Sequence, residues 1–363
     1  MLIYIKYSLL VVEKSLLVGA DFVNVQHIYK LNMSRDLSID MLRFVGLSCI
    51  ILAHVNAPFW LHQLRCFDVP LMLFVSGLTS SHKSFPRYSD YILKRCKRLL
   101  IPTWSFLIIW FGANYCMDLV SDKPLMHWSY ILKSFVMTGG LSYVWIIRVF
   151  LLITILTPLL LKIEKKVKSD RLLFAILLII WGGTLEAFVG IEENFVNSKI
   201  VGNVIEEFVI TPIAYSMFYI LGIRMRFFAL IKLLRMSIAF TLVWILALAI
   251  YFYTFGLPIS IVPDFKYPPH AYYVCYGLFV CSWLWTSRNL LSKFLNIKLF
   301  LFIGRNTIWI YLYHIVLLSV PIAMHWFLEY LMVYGGAILL FYAQYRVYLK
   351  AKDKFAFFKY LVG

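Results

Sequence analysis

The stretch Ser38–Pro58, SIDMLRFVGLSCIILAHVNAP, places Asp40, Arg43 and His54 in an apolar run long enough to enter a bilayer. Ionisable groups are costly in hydrocarbon, so each marks a ligand or proton site, or is held by a partner. Arg43 and His54 are eleven residues apart. On a helix that is nearly three full turns, so both fall on one face, about 16 Å apart along the axis. Asp40 precedes Arg43 by three residues and is placed to form a structural ion pair with it. A cation at one end and an imidazole deeper in suit an anionic donor arriving from one side and proton transfer farther along. A plainer reading fits the same residues: an interfacial anchor and a helix–helix hydrogen bond.

Further candidates lie downstream. In RCFDVPLMLFVSGL, Asp68 opens a second apolar run that would return antiparallel to the first, at a depth similar to that of His54. A carboxylate beside an imidazole fixes its tautomer and raises its basicity, as a general base requires. Ser76-Gly77 permits close helix packing or a softened region around a ligand. In YILKRCKRLLIP, Arg95 and Arg98 form an R-x-x-R pair suited to phosphate oxygens, whether of a ligand or of lipid headgroups. Arg148 directly follows YVWII, about two turns into its apolar run from the outer end, and needs a partner or a polar cavity. Near the end, IGRNTIWIYLYHIV carries Tyr311, Tyr313 and His314 inside an apolar run. The other histidines (His27, His62, His82, His127, His270 and His325) fall near expected loops or span ends and read as ordinary polar residues. No glycine-rich phosphate loop, G-x-S-x-G or H-E-x-x-H is present, and the six scattered cysteines have no metal-type spacing.

The elements that must position these residues are apolar helices. The chain of 363 residues is 62% hydrophobic, well above the 45–50% of soluble domains. It reads as an all-α polytopic integral membrane protein with ten spans, at about 40–59, 66–82, 99–119, 142–162, 171–190, 207–228, 236–256, 270–287, 306–325 and 327–346. Beyond Met33, the basic residues concentrate in alternate loops and the tail; only Arg65, Lys123, Lys133, Lys199 and Lys266 fall on the other side. That asymmetry predicts both termini in the cytoplasm and explains the net charge of +17 without nucleic-acid binding. The domain reading is an N-terminal extension over 1–33 (interfacial, or an artefact of a start at Met33), a transmembrane domain over 34–348, and a basic cytoplasmic tail over 349–363. The acidic stretch EAFVGIEENFVNSKIVGNVIEEF is expected to be an outside loop, either simply solvated or offering a glutamate to a polar acceptor. No internal repeat is evident, which weighs against a transporter made of duplicated halves.

In this order the pieces resemble the membrane-bound acyltransferase 3 family. The matching residues are Asp40-x-x-Arg43-x10-His54, FDVPLMLFVSG, KRCKRLLIP with Arg95-x-x-Arg98, YVWIIRVFLL and GRNTIWIYLYH. They span about residues 35–320 and match the short form, without an appended soluble esterase domain. Pro70-Leu71-Met72 departs from the Phe-rich pattern of many relatives, and the N-terminal extension is unusual. The resemblance implies O-acylation, usually O-acetylation, of an extracytoplasmic or lipid-linked glycan, in a bacterial inner membrane. Acetyl-coenzyme A or another acyl-coenzyme A would be a donor substrate, with no bound cofactor and no metal. Arg43, Arg95 and Arg98 would hold the donor phosphates. His54, oriented by Asp68, would be the catalytic base or would carry the acyl group transiently. Arg148, Tyr311, His314 and Ser76 would bind the acceptor or stabilise the oxyanion. Partners would be membrane lipids and the glycan, with no nucleic acid; a single chain and a homo-oligomer both fit the sequence. The competing expectation is a transporter or flippase for a glycan, lipid or small acid; a structural or sensor protein is the third.

Overall fold

The computed structural model describes residues 36–80, 87–122, 124–194, 199–256, 266–320 and 324–351. The expected extension over 1–33 and the tail beyond 351 lie outside the described residues. From Ser38 onward the chain forms one compact unit. Its helices are α1 (Leu37–Leu52), α2 (Phe59–Leu64), α3 (Asp68–Ser80), α4 (Tyr88–Val120), α5 (Trp128–Val136), α6 (Trp145–Lys166), α7 (Asp170–Asn194), α8 (Lys199–Ile205), α9 (Thr211–Met225), α10 (Leu230–Phe255), α11 (Ala271–Thr286), α12 (Arg288–Leu295), α13 (Lys298–Arg305), α14 (Thr307–Leu318) and α15 (Trp326–Ala351).

Among the described residues, six helical runs are long and apolar enough to cross a membrane: α4, Ser142–Lys166, Asp170–Ile191, Val201–Met225, α10 and α15. A seventh arises if α13 and α14, bent by 88°, count as one broken span. The chain is therefore a multi-pass helical membrane protein. The other expected spans fall on α1, α3, α11 and α14, of 16, 13, 16 and 12 residues. A straight crossing takes about 20 residues. These short helices are largely interior: nearly every residue of α3 is buried, as is nearly every residue of its neighbour α9. Hydropathy counts apolar residues alike whether protein or lipid surrounds them, so it lengthens helices that pack inside protein. The long α7, α10 and α15 instead turn apolar side chains outward, with Ile179 73%, Leu246 60% and Leu339 69% exposed.

Two glycines set the centre of the bundle. A Cβ on Gly77 of α3 would lie 2.0 Å from the Tyr219 carbonyl oxygen of α9, and one on Gly222 of α9 would lie 2.1 Å from that of Phe74 in α3. The two backbones therefore touch, as small residues permit between membrane helices.

Three local departures from the sequence reading matter for the site. First, α1 stops at Leu52, and His54 lies in the turn that follows, with its amide bonded to the Ile51 carbonyl at 3.0 Å. Pro58 lacks an amide proton and disfavours helix at the residue before it, which weakens a helix at this end of the run. The three-turn face shared by Arg43 and His54 thus ends before the histidine. Second, α4 is one helix of 33 residues, about 50 Å long, joining the expected interfacial segment to the span behind it. Third, the expected acidic outside loop is largely helical. It comprises the end of α7, then α8, then a π-helical turn over Glu206–Ile210 leading into α9.

Candidate active site

The first cluster forms around Asp40. Its buried carboxylate accepts from Arg43 at 3.4 Å and from Arg305 at 3.1 Å. Gly304 allows this convergence: a Cβ there would lie 1.9 Å from the Asp40 carbonyl oxygen, so α13 rests directly on the backbone of α1. Arg43 and Arg305 share a cavity of 160 Å³ with Arg95 and Arg98, which α4 supplies one turn apart. Ser76 and Tyr311 also line it, while Leu47, Ile50 and Ile146 give it an apolar wall. A polar arm of 100 Å³ shares Arg43, Ser76, Arg95 and Arg98 and adds Tyr91 and Tyr219. Tyr219 is fixed there by the Thr157 hydroxyl at 2.8 Å. Four guanidinium groups around one cavity make a strong anion site, and the planar forks suit phosphate.

A second cavity, of 440 Å³, contains His54, Tyr143, Trp145, Arg148, Glu207 and Tyr267. The loop between α5 and α6 forms part of its wall through Met137, Thr138, Gly139 and Ser142. Gly140 shapes that loop. Its φ is +63°, and a Cβ would lie 2.2 Å from Ser134 Oγ, which itself accepts from the Leu141 amide at 2.8 Å. Only glycine meets both demands. Arg148 is buried, donates to the Met137 carbonyl, and pairs with Glu207 from the π-helical turn. The π turn re-aims its side chains relative to a regular helix. Trp145 and Tyr267 meet edge to face at 4.4 Å.

Four residues in mutual contact run from the wall of the first cavity to the wall of the second. Tyr311, from the lining of the arginine cavity, donates its hydroxyl to the carbonyl of Tyr143, which lines the second. His54 Nδ1 lies 3.0 Å from His314 Nε2. The Tyr143 ring stands edge-on to His54 at 4.9 Å and to His314 at 6.1 Å.

The expectation for Asp68 is corrected. Asp68 is buried, but Arg65 at 2.8 Å, Lys266 at 3.5 Å and the Val69 amide at 2.7 Å take up its carboxylate. The partner that the structure gives His54 is His314. Arg65 lies three residues before Asp68, in the turn ahead of α3, so the pairing is local. Arg43, Arg95, Arg98, Ser76 and Tyr311 do come together, as do His54 and Arg148. Arg148 meets Glu207 and the Met137 carbonyl through Nη1, while among the described residues its buried Nε has no hydrogen-bond partner. Sequence reasoning did not single out Arg305, Tyr143, Trp145, Glu207 or Tyr267. The acidic stretch was the one signal pointing toward Glu207.

Loss of the Arg148 partner has a measurable consequence. Arg148→Met is expected to lower stability by roughly 1–3 kcal/mol, because Glu207 stays partly buried without its cation. Glu207 keeps 27% of its side chain exposed, which limits the cost. The double variant Arg148→Met/Glu207→Leu should recover part of the loss in thermal unfolding, since no charge is then stranded.

A helical multi-pass protein with a histidine pair between a cationic cavity and a cavity holding an ion pair is a membrane protein built around two polar sites. A family model described as an acyltransferase domain, that of the acyltransferase 3 family, matches residues 36–346. The chain belongs to this family and is an acyltransferase. No curated protein and no solved structure matches it.

Proposed function

We propose that the protein transfers an acyl group, acetyl in the first instance, from cytosolic acyl-coenzyme A to a hydroxyl of an extracytoplasmic or lipid-linked glycan. The setting is a bacterial inner membrane crossed ten times, with both termini in the cytoplasm. The observation that carries the reading is the set of contacts among Tyr311, Tyr143, His314 and His54 that links the walls of the two cavities. A donor held on one side and an acceptor on the other would meet there. Arg43, Arg95, Arg98 and Arg305 would hold the phosphates of coenzyme A. The pantetheine arm would follow the apolar wall toward Tyr311. On the other side, the Trp145–Tyr267 corner offers a face for a sugar ring, and Glu207 and Arg148 offer partners for its hydroxyls.

In the transfer itself His54 takes the proton of the acceptor hydroxyl. The hydroxyl oxygen then bonds to the thioester carbonyl carbon, and the carbon–sulfur bond breaks. The imidazolium returns its proton to the coenzyme A thiolate. The ester and the free thiol are the products, and His54 ends as it began.

The sidedness is testable with labelled acetyl-coenzyme A and sealed vesicles of both orientations carrying the native glycan. Label should enter the glycan as an alkali-labile ester only when donor reaches the cytoplasmic face. Equal labelling from either face, or none from both, would contradict the proposal. The arginines predict a separable effect. Arg95→Ala or Arg98→Ala should each raise KM for acyl-coenzyme A at least about tenfold while changing kcat less, as expected for lost hydrogen bonds to a charged ligand. Initial rates across a donor series read both.

A further inference from the structure

The ring of His314 is fully buried, and its two nitrogens have different partners. Nδ1 bonds the backbone carbonyl of Tyr311. Nε2 lies 3.0 Å from His54 Nδ1. A carbonyl oxygen only accepts, so Nδ1 of His314 carries the proton of that bond. In a neutral ring Nε2 is then bare and must accept. The proton between the two rings therefore belongs to His54 Nδ1, and His54 Nε2 keeps its lone pair. Among the described residues, no hydrogen bond engages that nitrogen, and His54 lines the 440 Å³ cavity.

We propose that His314 is a positioning residue: it locks His54 in the tautomer protonated on Nδ1, presenting Nε2 as the base toward the acceptor. The role in catalysis rests on the acyl-transfer reading above; the tautomer assignment does not. The residue that orients a catalytic imidazole is commonly a carboxylate. Here the carboxylate the sequence suggested, Asp68, is committed to Arg65 and Lys266. A neutral imidazole held by a main-chain carbonyl does the same task without adding a charge to a site within a membrane protein. The main-chain bond is the essential part. It makes His314 an acceptor toward His54, where an unrestrained ring could equally donate. If His314 donated, His54 would carry its proton on Nε2 and could not act as a base. The edge-on ring of Tyr143 contacts both imidazoles and limits their rotation.

The tautomer can be read without substrate by ¹⁵N NMR of the full-length protein labelled at histidine, with His54→Gln used to assign the signal. The expected result is a protonated Nδ1 and a bare Nε2 on His54, lost in His314→Phe, which keeps an aromatic ring but removes the acceptor. In turnover, His314→Phe should lower kcat about 10²–10⁴-fold, with KM for donor and acceptor within about twofold. His314→Gln offers an amide oxygen in place of Nε2 and should recover at least about tenfold over the phenylalanine variant. Wild-type His54 protonated on Nε2 would overturn the proposal, and so would a His314→Phe protein with wild-type kcat. A correctly locked His54 in a protein that transfers no acyl group would uphold the positioning and instead remove the acyl-transfer reading.

Discussion

His54→Gln is expected to reduce acyl transfer at least about 10³-fold while leaving the protein folded. The expectation follows from what the substitution preserves and removes. Glutamine is close to histidine in size, and its amide N–H can still donate to His314 Nε2, so the buried acceptor keeps a partner. His54 lies in a turn beyond the last residue of α1, so no helical hydrogen bond depends on the side chain. An amide cannot take up a proton near neutral pH, so the base is lost outright. A positioned general base contributes about 10²–10⁴-fold, and removal from a buried site falls toward the upper part of that range. Initial rates and an unfolding midpoint, measured on the same preparation, separate lost chemistry from lost fold. A variant folded and active near the wild-type rate would remove His54 from the reaction.

The second large effect concerns the bundle centre. Gly222→Ala places a methyl group 2.1 Å from the Phe74 carbonyl oxygen and 3.1 Å from the Leu78 amide nitrogen. Both are backbone atoms, so no side-chain rotation relieves the clash, and α3 must move off α9. Overpacking costs about 1–3 kcal/mol where side chains can adjust, and a rigid backbone contact belongs at or above the top of that range. The displaced helix carries Met72 and Ser76, which line the arginine cavity, so transfer should fall along with stability. Gly182→Ala and Gly183→Ala are the internal controls: a Cβ at either position meets nothing within 4 Å, and alanine should be neutral or mildly stabilising there. A Gly222→Ala protein with the unfolding midpoint of these controls would contradict the close crossing of α3 and α9.

Much of the site was legible in the sequence, and the reason differs residue by residue. Arg43, Arg95 and Arg98 announce themselves because charges near apolar helices require a function or a partner, and they do share one cavity. Ser76-Gly77 read as close packing or as a softened region around a ligand; Gly77 packs closely, and Ser76 lines the arginine cavity. Arg148 read as a cation in need of a partner, and Glu207 is that partner. The pairing of His54 was less legible. Depth arithmetic placed Asp68 beside it, but depth says nothing about azimuth around a helix, and α3 turns Asp68 toward Arg65 and Lys266. His314 is 260 residues away from His54, and no local pattern encodes that contact. Glu207 depends on a π turn inside a segment whose acidity suggested a solvated loop. Of the ten spans read from hydropathy, six fall on helices long and apolar enough to cross among the described residues, and the other four fall on the shorter α1, α3, α11 and α14, whose lengths no local pattern encodes.

The most direct measurement of the central claim is transfer of label from acetyl-coenzyme A to the native glycan, comparing wild type, His54→Gln and Arg95→Ala in inverted membrane vesicles. The account predicts a labelled glycan with wild type, none with His54→Gln at any donor concentration, and Arg95→Ala transfer that recovers as donor approaches saturation. Labelling by His54→Gln at the wild-type rate, or no labelling by folded wild type with its native glycan present, would contradict it.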